Sequence, residues 1–192
     1  LQLKWLKRYP SNPWNWDIIS NHNNLSLEWL EKFPDKPWNW DKISSNSNLQ
    51  FEWLEKFPDK PWNWGSQGIS SNSNLTLEWL EKYPDKPWNW GSQGISYNSN
   101  LTLEWIDKYP DLPWNWSGLW GISNNPNVTL EWLEKYPDKE WNWSGLWSIS
   151  NNHNLTLEWL DKFPDLPWNW NTISNNPNLT LEWLDKYSDK EW

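Results

Sequence analysis

The sequence predicts an all-α fold: an elongated solenoid of eight short two-helix repeats, in which α-helical turns alternate with 3₁₀-like turns. Three observations carry that expectation. One phrase, clearest at residues 74–90 as NLTLEWLEKYPDKPWNW, recurs along all 192 residues, its first leucine slot falling at Leu1, Leu25, Leu49, Leu75, Leu101, Val128, Leu155 and Leu179. A spacing of 24 to 27 residues marks a stacked array, whose units hide their apolar faces only against their neighbours. Tryptophan is the second observation: the chain holds 25, with three at fixed places in every full copy. The third is the order of residues inside one unit, which suits short helices separated by proline and asparagine turns.

In the second copy, helical spacing puts Leu27, Leu30, Phe33 and Trp29 on one side and Glu28, Glu31 and Lys32 on the other. A strand would misplace Leu30 and Glu31. Ser26, replaced by Thr76, Thr102, Thr129, Thr156 and Thr180 in later copies, is expected to cap the helix with its hydroxyl. Glu28 then sits in the first turn, beside the positive end of the helix dipole. Glu28 and Lys32 are spaced as an i,i+4 ion pair in the favourable order. Pro34 ends the helix, because it disfavours α geometry at Phe33 and has no N–H to donate. The first copy departs, with Lys4 and Arg8 in place of the acid–base pair, and the last carries Ser188 where the proline stands elsewhere.

The second half runs Asp35-Lys36-Pro37-Trp38-Asn39-Trp40, then a spacer, then Ile43-Ser44. Pro37 suits a first helical turn. Trp38 and Trp40, two apart, suit a strand face or a 3₁₀ turn better than a regular α-helix. The spacer has two residues in short copies, four at residues 65–68 and 91–94, and five at 117–121 and 144–148. A continuous helix could not absorb those glycine-bearing insertions without a break. Pro-Trp-Asn-Trp is therefore expected to form one helical turn and Ile-Ser-x-Asn a second. The asparagine-rich junction is turn chemistry, and stacking would set its amides one above another, bonding the next turn's backbone.

Composition narrows the function classes. A net charge of −9, with Lys4, Lys7 and Arg8 as the one basic cluster, argues against a nucleic-acid surface. Cysteine is absent, which removes disulfides, thiolate metal sites and thiol redox chemistry and leaves the compartment open. No apolar run approaches the ~20 residues of a membrane span. The chain has no Met and both begins and stops inside the phrase, so it is read as one tandem-repeat domain over 1–192, a segment of a longer array.

Residues 176–186, Asn-Pro-Asn-Leu-Thr-Leu-Glu-Trp-Leu-Asp-Lys, resemble two known kinds of repeat. One is the bacterial leucine-rich-repeat variant, also of period 24, with an Asn-Pro-Asn-x-Thr start, a short helix and an Asp-Pro-like turn. That resemblance implies a right-handed superhelix of alternating α and 3₁₀ helices. The other, closer in wording, is the tryptophan-rich tandem repeat of giant DNA virus proteins, Asn-Pro-Asn-x-Thr followed by Lys-Tyr-Pro-Asp-Lys-Pro-Trp-Asn-Trp. It implies a viral source and supplies no catalytic residue to carry over. Aromatics stand here where the first family has small residues, and the Gly-bearing insertions have no counterpart in it.

A residue that recurs in every copy is expected to be scaffold. Trp29, Trp38, Trp40, Trp53, Trp62, Trp64, Trp79, Trp88 and Trp90 are accordingly read as a structural ladder, each able to bury about 150–250 Å². Function is sought in departures from the phrase. The clearest are Leu119-Trp120 and Leu146-Trp147 on the five-residue insertions, which project from one face as a candidate surface for a protein partner or stack sugar rings. The alternative is that they fold back over the ladder. His22 and His153 are read as occupants of one turn position, where other copies carry Ser or Pro, too far apart to share a metal ion. The recurrent exposed pairs such as Glu28/Glu31 and Glu78/Glu81 lack the asymmetry that glycosidic chemistry needs. Gly65-Ser66-Gln67-Gly68 lacks the lysine of a phosphate loop. No catalysis, metal or cofactor is expected. Asn-x-Ser/Thr triplets at Asn24, Asn74, Asn100, Asn115, Asn127, Asn142, Asn154 and Asn178 are read as turns followed by caps rather than glycan acceptors. The leading expectation is a non-enzymatic scaffold that binds protein or assembles end to end with copies of itself; the alternative is a carbohydrate-binding module using the inserted tryptophans.

Overall fold

A computed structural model describes every residue of 1–192 except Leu146. The described residues are helical or irregular, without strands, as the phrase predicts. They form two compact units, Leu1–Asn89 and Trp90–Trp192. No helix among the described residues is long and apolar enough to cross a membrane.

The first helix of each copy is six residues long: Leu3–Arg8, Leu27–Lys32, Phe51–Lys56 and Leu77–Lys82 in the first unit, Leu103–Lys108, Leu130–Lys135, Leu157–Lys162 and Leu181–Lys186 in the second. In the second copy Trp29 and Leu30 face inward, while Glu28, Glu31 and Lys32 stay in water. Phe33 closes the helix with φ −131° and ψ 55°, outside α geometry, its N–H bonded back to Trp29 O. Tyr187 closes the last helix in the same way, although Ser188 follows it, so proline is not the sole stop.

Two local expectations are corrected. Ser26 and its threonine counterparts stand at the N-cap, yet their side chains make no capping bond. The amide that the hydroxyl would serve, Trp29 N–H, is already bonded to Ser26 O in a 3₁₀-type turn. The Pro-Trp-Asn stretch is not a helical turn either. Lys36 N–H bonds to Phe33 O and Trp38 N–H to Lys36 O, after which Asn39 is extended. The helix starts at the third tryptophan and runs unbroken through the two-residue spacer, as Trp16–Ser20, Trp40–Ser44 and Trp170–Ile173. Its N-cap is the asparagine between the tryptophans: Asn39 Oδ1 accepts from Lys42 N–H at 3.0 Å, and Asn15 and Asn169 do the same for Ile18 and Thr172.

Where the spacer is longer, that helix is replaced by a turn and a 3₁₀ helix, at Ile69–Ser71, Ile95–Tyr97, Ile122–Asn124 and Ile149–Asn151. The insertion closes on itself, with Ile69 N–H on Asn63 O at 2.8 Å and Ile122 N–H on Asn115 O at 2.7 Å. A Cβ at Gly68 would lie 2.0 Å from Asn63 O, so this closure admits no side chain there.

Inside each unit the copies stack on a core of leucine, isoleucine and tryptophan, including Leu25, Ile43, Leu49, Ile69 and Leu75 in the first and Ile95, Leu101, Ile122, Val128 and Leu155 in the second.

Candidate functional site

The tryptophans of the phrase occupy three environments. The first of each copy, as in Trp29, Trp53 and Trp79, is buried on the inner face of its helix, except in the first copy, where Trp5 is 43% exposed. The second, as in Trp38, Trp62 and Trp88, is also buried, except for the half-buried Trp14 and Trp192, and its indole N–H donates to the carbonyl five residues earlier, Phe33, Phe57 and Tyr83 respectively, at 2.8 Å. A buried indole therefore carries no unpaired donor. The third, as in Trp40, Trp64 and Trp90, meets the second indole of the following copy edge to face. The Trp40–Trp62, Trp64–Trp88 and Trp90–Trp114 centroids lie 4.9, 4.9 and 5.0 Å apart, at interplanar angles of 78–81°. Trp64 is buried, whereas Trp40 and Trp90 keep partial exposure. Lysine of the following copy covers that third indole: Lys60 Nζ lies 5.5 Å from the Trp40 ring and Lys86 Nζ 5.4 Å from the Trp64 ring.

Polar groups tie the same interface. Ser44 Oγ donates to Trp40 O within its copy and accepts from Asn63 N–H of the next, and Ser123 bonds Trp116 O and Asn142 N–H likewise. Two asparagines per junction reach back to the preceding copy. Asn46 Nδ2 donates to Ser20 O and His22 O, and Asn48 Nδ2 to Leu25 O; Asn125 and Asn127 do the same toward Asn98 O and Leu101 O. The amides bond the backbone of the preceding copy, where the next turn's backbone was expected. The sequon asparagines Asn24, Asn74, Asn127, Asn154 and Asn178 all spend Nδ2 on these bonds, the atom that a glycan would need.

The two histidines do not share a position. His22 stands three residues before Leu25, where Asn46 stands before Leu49, and its Nδ1 accepts from Asn24 N–H as Asn46 Oδ1 accepts from Asn48 N–H, each at 2.9 Å. His153 is one place further along, and its carbonyl accepts from Asn178. Imidazole can replace the amide because both present an acceptor at that reach.

Charge pairing also departs from expectation. Lysines reach the preceding copy rather than their own helix: Lys56–Glu31 at 2.8 Å, Lys135–Asp107 at 2.6 Å and Lys186–Asp161 at 2.7 Å. An i,i+4 contact occurs at Lys162–Glu158, 3.7 Å. In the first copy Lys7 occupies the acid's place and pairs with Glu28 instead. Tyr136 and Tyr187 add hydroxyl bonds to Asp107 and Asp161. The lysine and tyrosine bonds hold both carboxyls below the usual range. Partial burial, reinforced by the adjacent carboxylate, pushes each tyrosine up to about 12.

The inserted residues stand apart from the ladder. Trp120 lies between Tyr97 and Trp147, with ring centroids 4.9 and 5.4 Å away. Trp120 is partly exposed, Trp147 is 44% exposed and Leu119 is 50% exposed. Leu146 lies outside the described residues. Trp120 has φ +60°, a conformation unfavourable for a bulky side chain and held here by the rings on both sides. Asn142 Nδ2 donates to Trp147 O, and Ser148 Oγ to Gly145 O, so the last insertion is pinned at both ends. Tyr97, outside the phrase, is the member of this row that the sequence reading missed; it is the one aromatic in the slot after Ile-Ser.

Beside the row, Gly145, Asn151, Asn169, Asn171, Thr172 and Asn175 line a cavity of about 290 Å³ without a charged group. The first unit has a cavity of about 360 Å³ where Asp17, His22 and Lys42 contribute, and another of about 430 Å³ with Asp41 and Lys42. Among the described residues no group of three or more His, Cys, Asp or Glu is placed to hold a metal ion.

Comparison of the chain with family models, curated proteins and solved structures finds no match.

Proposed function

We propose that this chain is a non-enzymatic repeat scaffold that binds protein, either a partner or further copies of itself. The observation that supports it is the two-sided copy-to-copy contact. One side offers the third indole, a serine hydroxyl and backbone carbonyls; the other offers the second indole, an asparagine N–H and asparagine amides. The sides differ and complement each other, so a second chain can dock head to tail with the same chemistry. Leu119, Trp120 and Trp147 supply a lateral apolar patch of the kind that protein partners cover. Kinship with the giant-virus tryptophan repeats, and with it a viral source, belongs to the same proposal and is supported by the wording of residues 176–186.

Sedimentation velocity over a hundredfold concentration range tests the self-assembly limb. Mass should rise with concentration, and Leu119→Ser should weaken the lateral component without changing the melting temperature. A constant monomer mass removes this limb. A second reading, a surface for oligosaccharides, is favoured by the uncharged cavity next to the Trp147 insertion.

A further inference from the structure

We infer that two copies of this chain join head to tail, the helix Leu3–Arg8 of one seated against the helix Leu181–Lys186 of the other. Lys4, Arg8 and Tyr9 then converge on Asp185, and Trp5 packs on Leu181. The inference rests on the self-assembly reading above and names the two faces and their polarity.

The internal junctions supply the pattern. Lysine at the end of one helix reaches the acid of the helix before it, as in Lys56–Glu31, Lys135–Asp107 and Lys186–Asp161. Where that acid is Asp107 or Asp161, the residue after the lysine is tyrosine, and its hydroxyl donates to the same carboxylate, at 2.7 and 3.0 Å respectively. Lys7–Glu28, at 2.9 Å, shows that the acid's place also lies within reach of the second helical residue of the following copy. The apolar rung is Phe51, whose ring centroid lies 5.8 Å from that of Trp79 and 6.0 Å from that of Tyr83 in the next copy.

The first and last helices hold matching halves of that pattern. Asp185 stands at the acid's place in the last copy, and Arg8 and Tyr9 stand at the places of the lysine and the tyrosine in the first. Lys4 holds the second helical place, where every other copy carries glutamate. Lys4, Arg8, Glu182 and Asp185 are exposed and form no ion pair among the described residues. The apolar surfaces match in the same sense. Leu181 is 78% exposed and Leu184 half-buried, whereas their counterparts Leu157 and Leu160 are half-buried and fully buried. Trp5 and Tyr9 are exposed, whereas Trp29 is buried and Phe33 half-buried. Cations flank the open rings and carboxylates flank the open leucines, so two heads or two tails would set like charges together, and head against tail is selected. Arg8 adds a planar guanidinium suited to grip a carboxylate. Trp192 is the second tryptophan of its phrase and already meets Trp170, so the indole pair of the internal junctions takes no part and the contact is reversible.

The test is sedimentation velocity of the intact chain and its charge-reversed variants at low salt. Arg8→Asp and Asp185→Arg should each raise the midpoint concentration of association about tenfold or more, with the melting temperature unchanged because both side chains are exposed. Mixed one to one, the two variants should regain dimers, since the unaltered head of one meets the unaltered tail of the other. Tyr9→Phe should weaken association severalfold. Association that survives both reversals, or that the mixture fails to restore, overturns this junction. If Leu119→Ser abolishes that surviving association, the self-assembly reading stands on the lateral patch alone. A mass that stays monomeric at every concentration overturns the junction and the self-assembly reading together.

Discussion

Trp141 and Trp147 lie six residues apart in one copy and live in different chemistry. Trp141 is 6% exposed, meets Trp116 edge to face at 4.9 Å and donates its indole N–H to Tyr136 O. Trp147 is 44% exposed, and its ring contact is with Trp120, itself an inserted residue. One tryptophan belongs to a phrase that every copy must satisfy to stack on its neighbour. The other belongs to an insertion that no neighbouring core requires. For these two residues of one type, recurrence thus marks packing and departure marks surface; Trp5, at a recurrent position of the first copy, is 43% exposed.

The comparison can be broken most directly by truncation. Trp141→Ala should cost about 3–5 kcal/mol, the scale of a large core truncation, whereas Trp147→Ala should stay within about 0.5 kcal/mol, as for a surface site. Equal losses in urea denaturation would erase the distinction.

The polar ladder comes next. Ser123→Ala removes the acceptor of Asn142 N–H and the donor to Trp116 O, and should cost about 1–3 kcal/mol as a buried unsatisfied group. Ser144→Ala, on the exposed insertion, should change little. Hydrogen exchange at Asn142 would report the loss locally.

A smaller gain sharpens the picture from the other direction. Lys139 Nζ lies 5.5 Å from the Trp116 ring, but the seventh copy carries Leu166 at the corresponding place. Leu166→Lys should place an ammonium over Trp143 and raise stability by about 0.5–1 kcal/mol, the value of an exposed cation–π contact. An unchanged thermal midpoint at low salt would count against the lysine's role.

The smallest effects are pH-linked. Tyr136 and Tyr187 are raised from 10.0 to about 12, so the neutral phenol is favoured by folding. Their contribution is whole below pH ~10 and disappears as pH rises through about 12. Tyr136→Phe should flatten that alkaline loss. Asp107 and Asp161 are lowered from 3.8, so their contribution is present above that value and is lost as pH falls through the folded one. Both carboxyls are solvent-accessible, so this acid effect is modest; Asp107→Asn should leave the acid limb shallower in a pH series of melting curves.

Much of this was legible in the residues. The amphipathic spacing at residues 27–33 and the glycines of the insertions both pointed where the structure places them. Other features were not. Lys32 was assigned a partner in its own helix, yet its counterpart Lys56 bonds Glu31 of the copy before. Ser44 carried no local signal, because its partner Asn63 lies 19 residues away. His22 was placed one slot out, because its job is defined by a bond to Asn24 rather than by its neighbours in the phrase.

The sequence by itself determined the period and, for the first helix of the copies, the inward face and the point where it stops. Those depend on backbone preferences and side-chain spacing within a few residues, which the order of amino acids carries directly. Only the tertiary structure decided which copy each lysine, serine and asparagine serves, and which indoles meet water. Those choices depend on how far one copy is offset from the next, a distance set jointly by all the side chains packed between them.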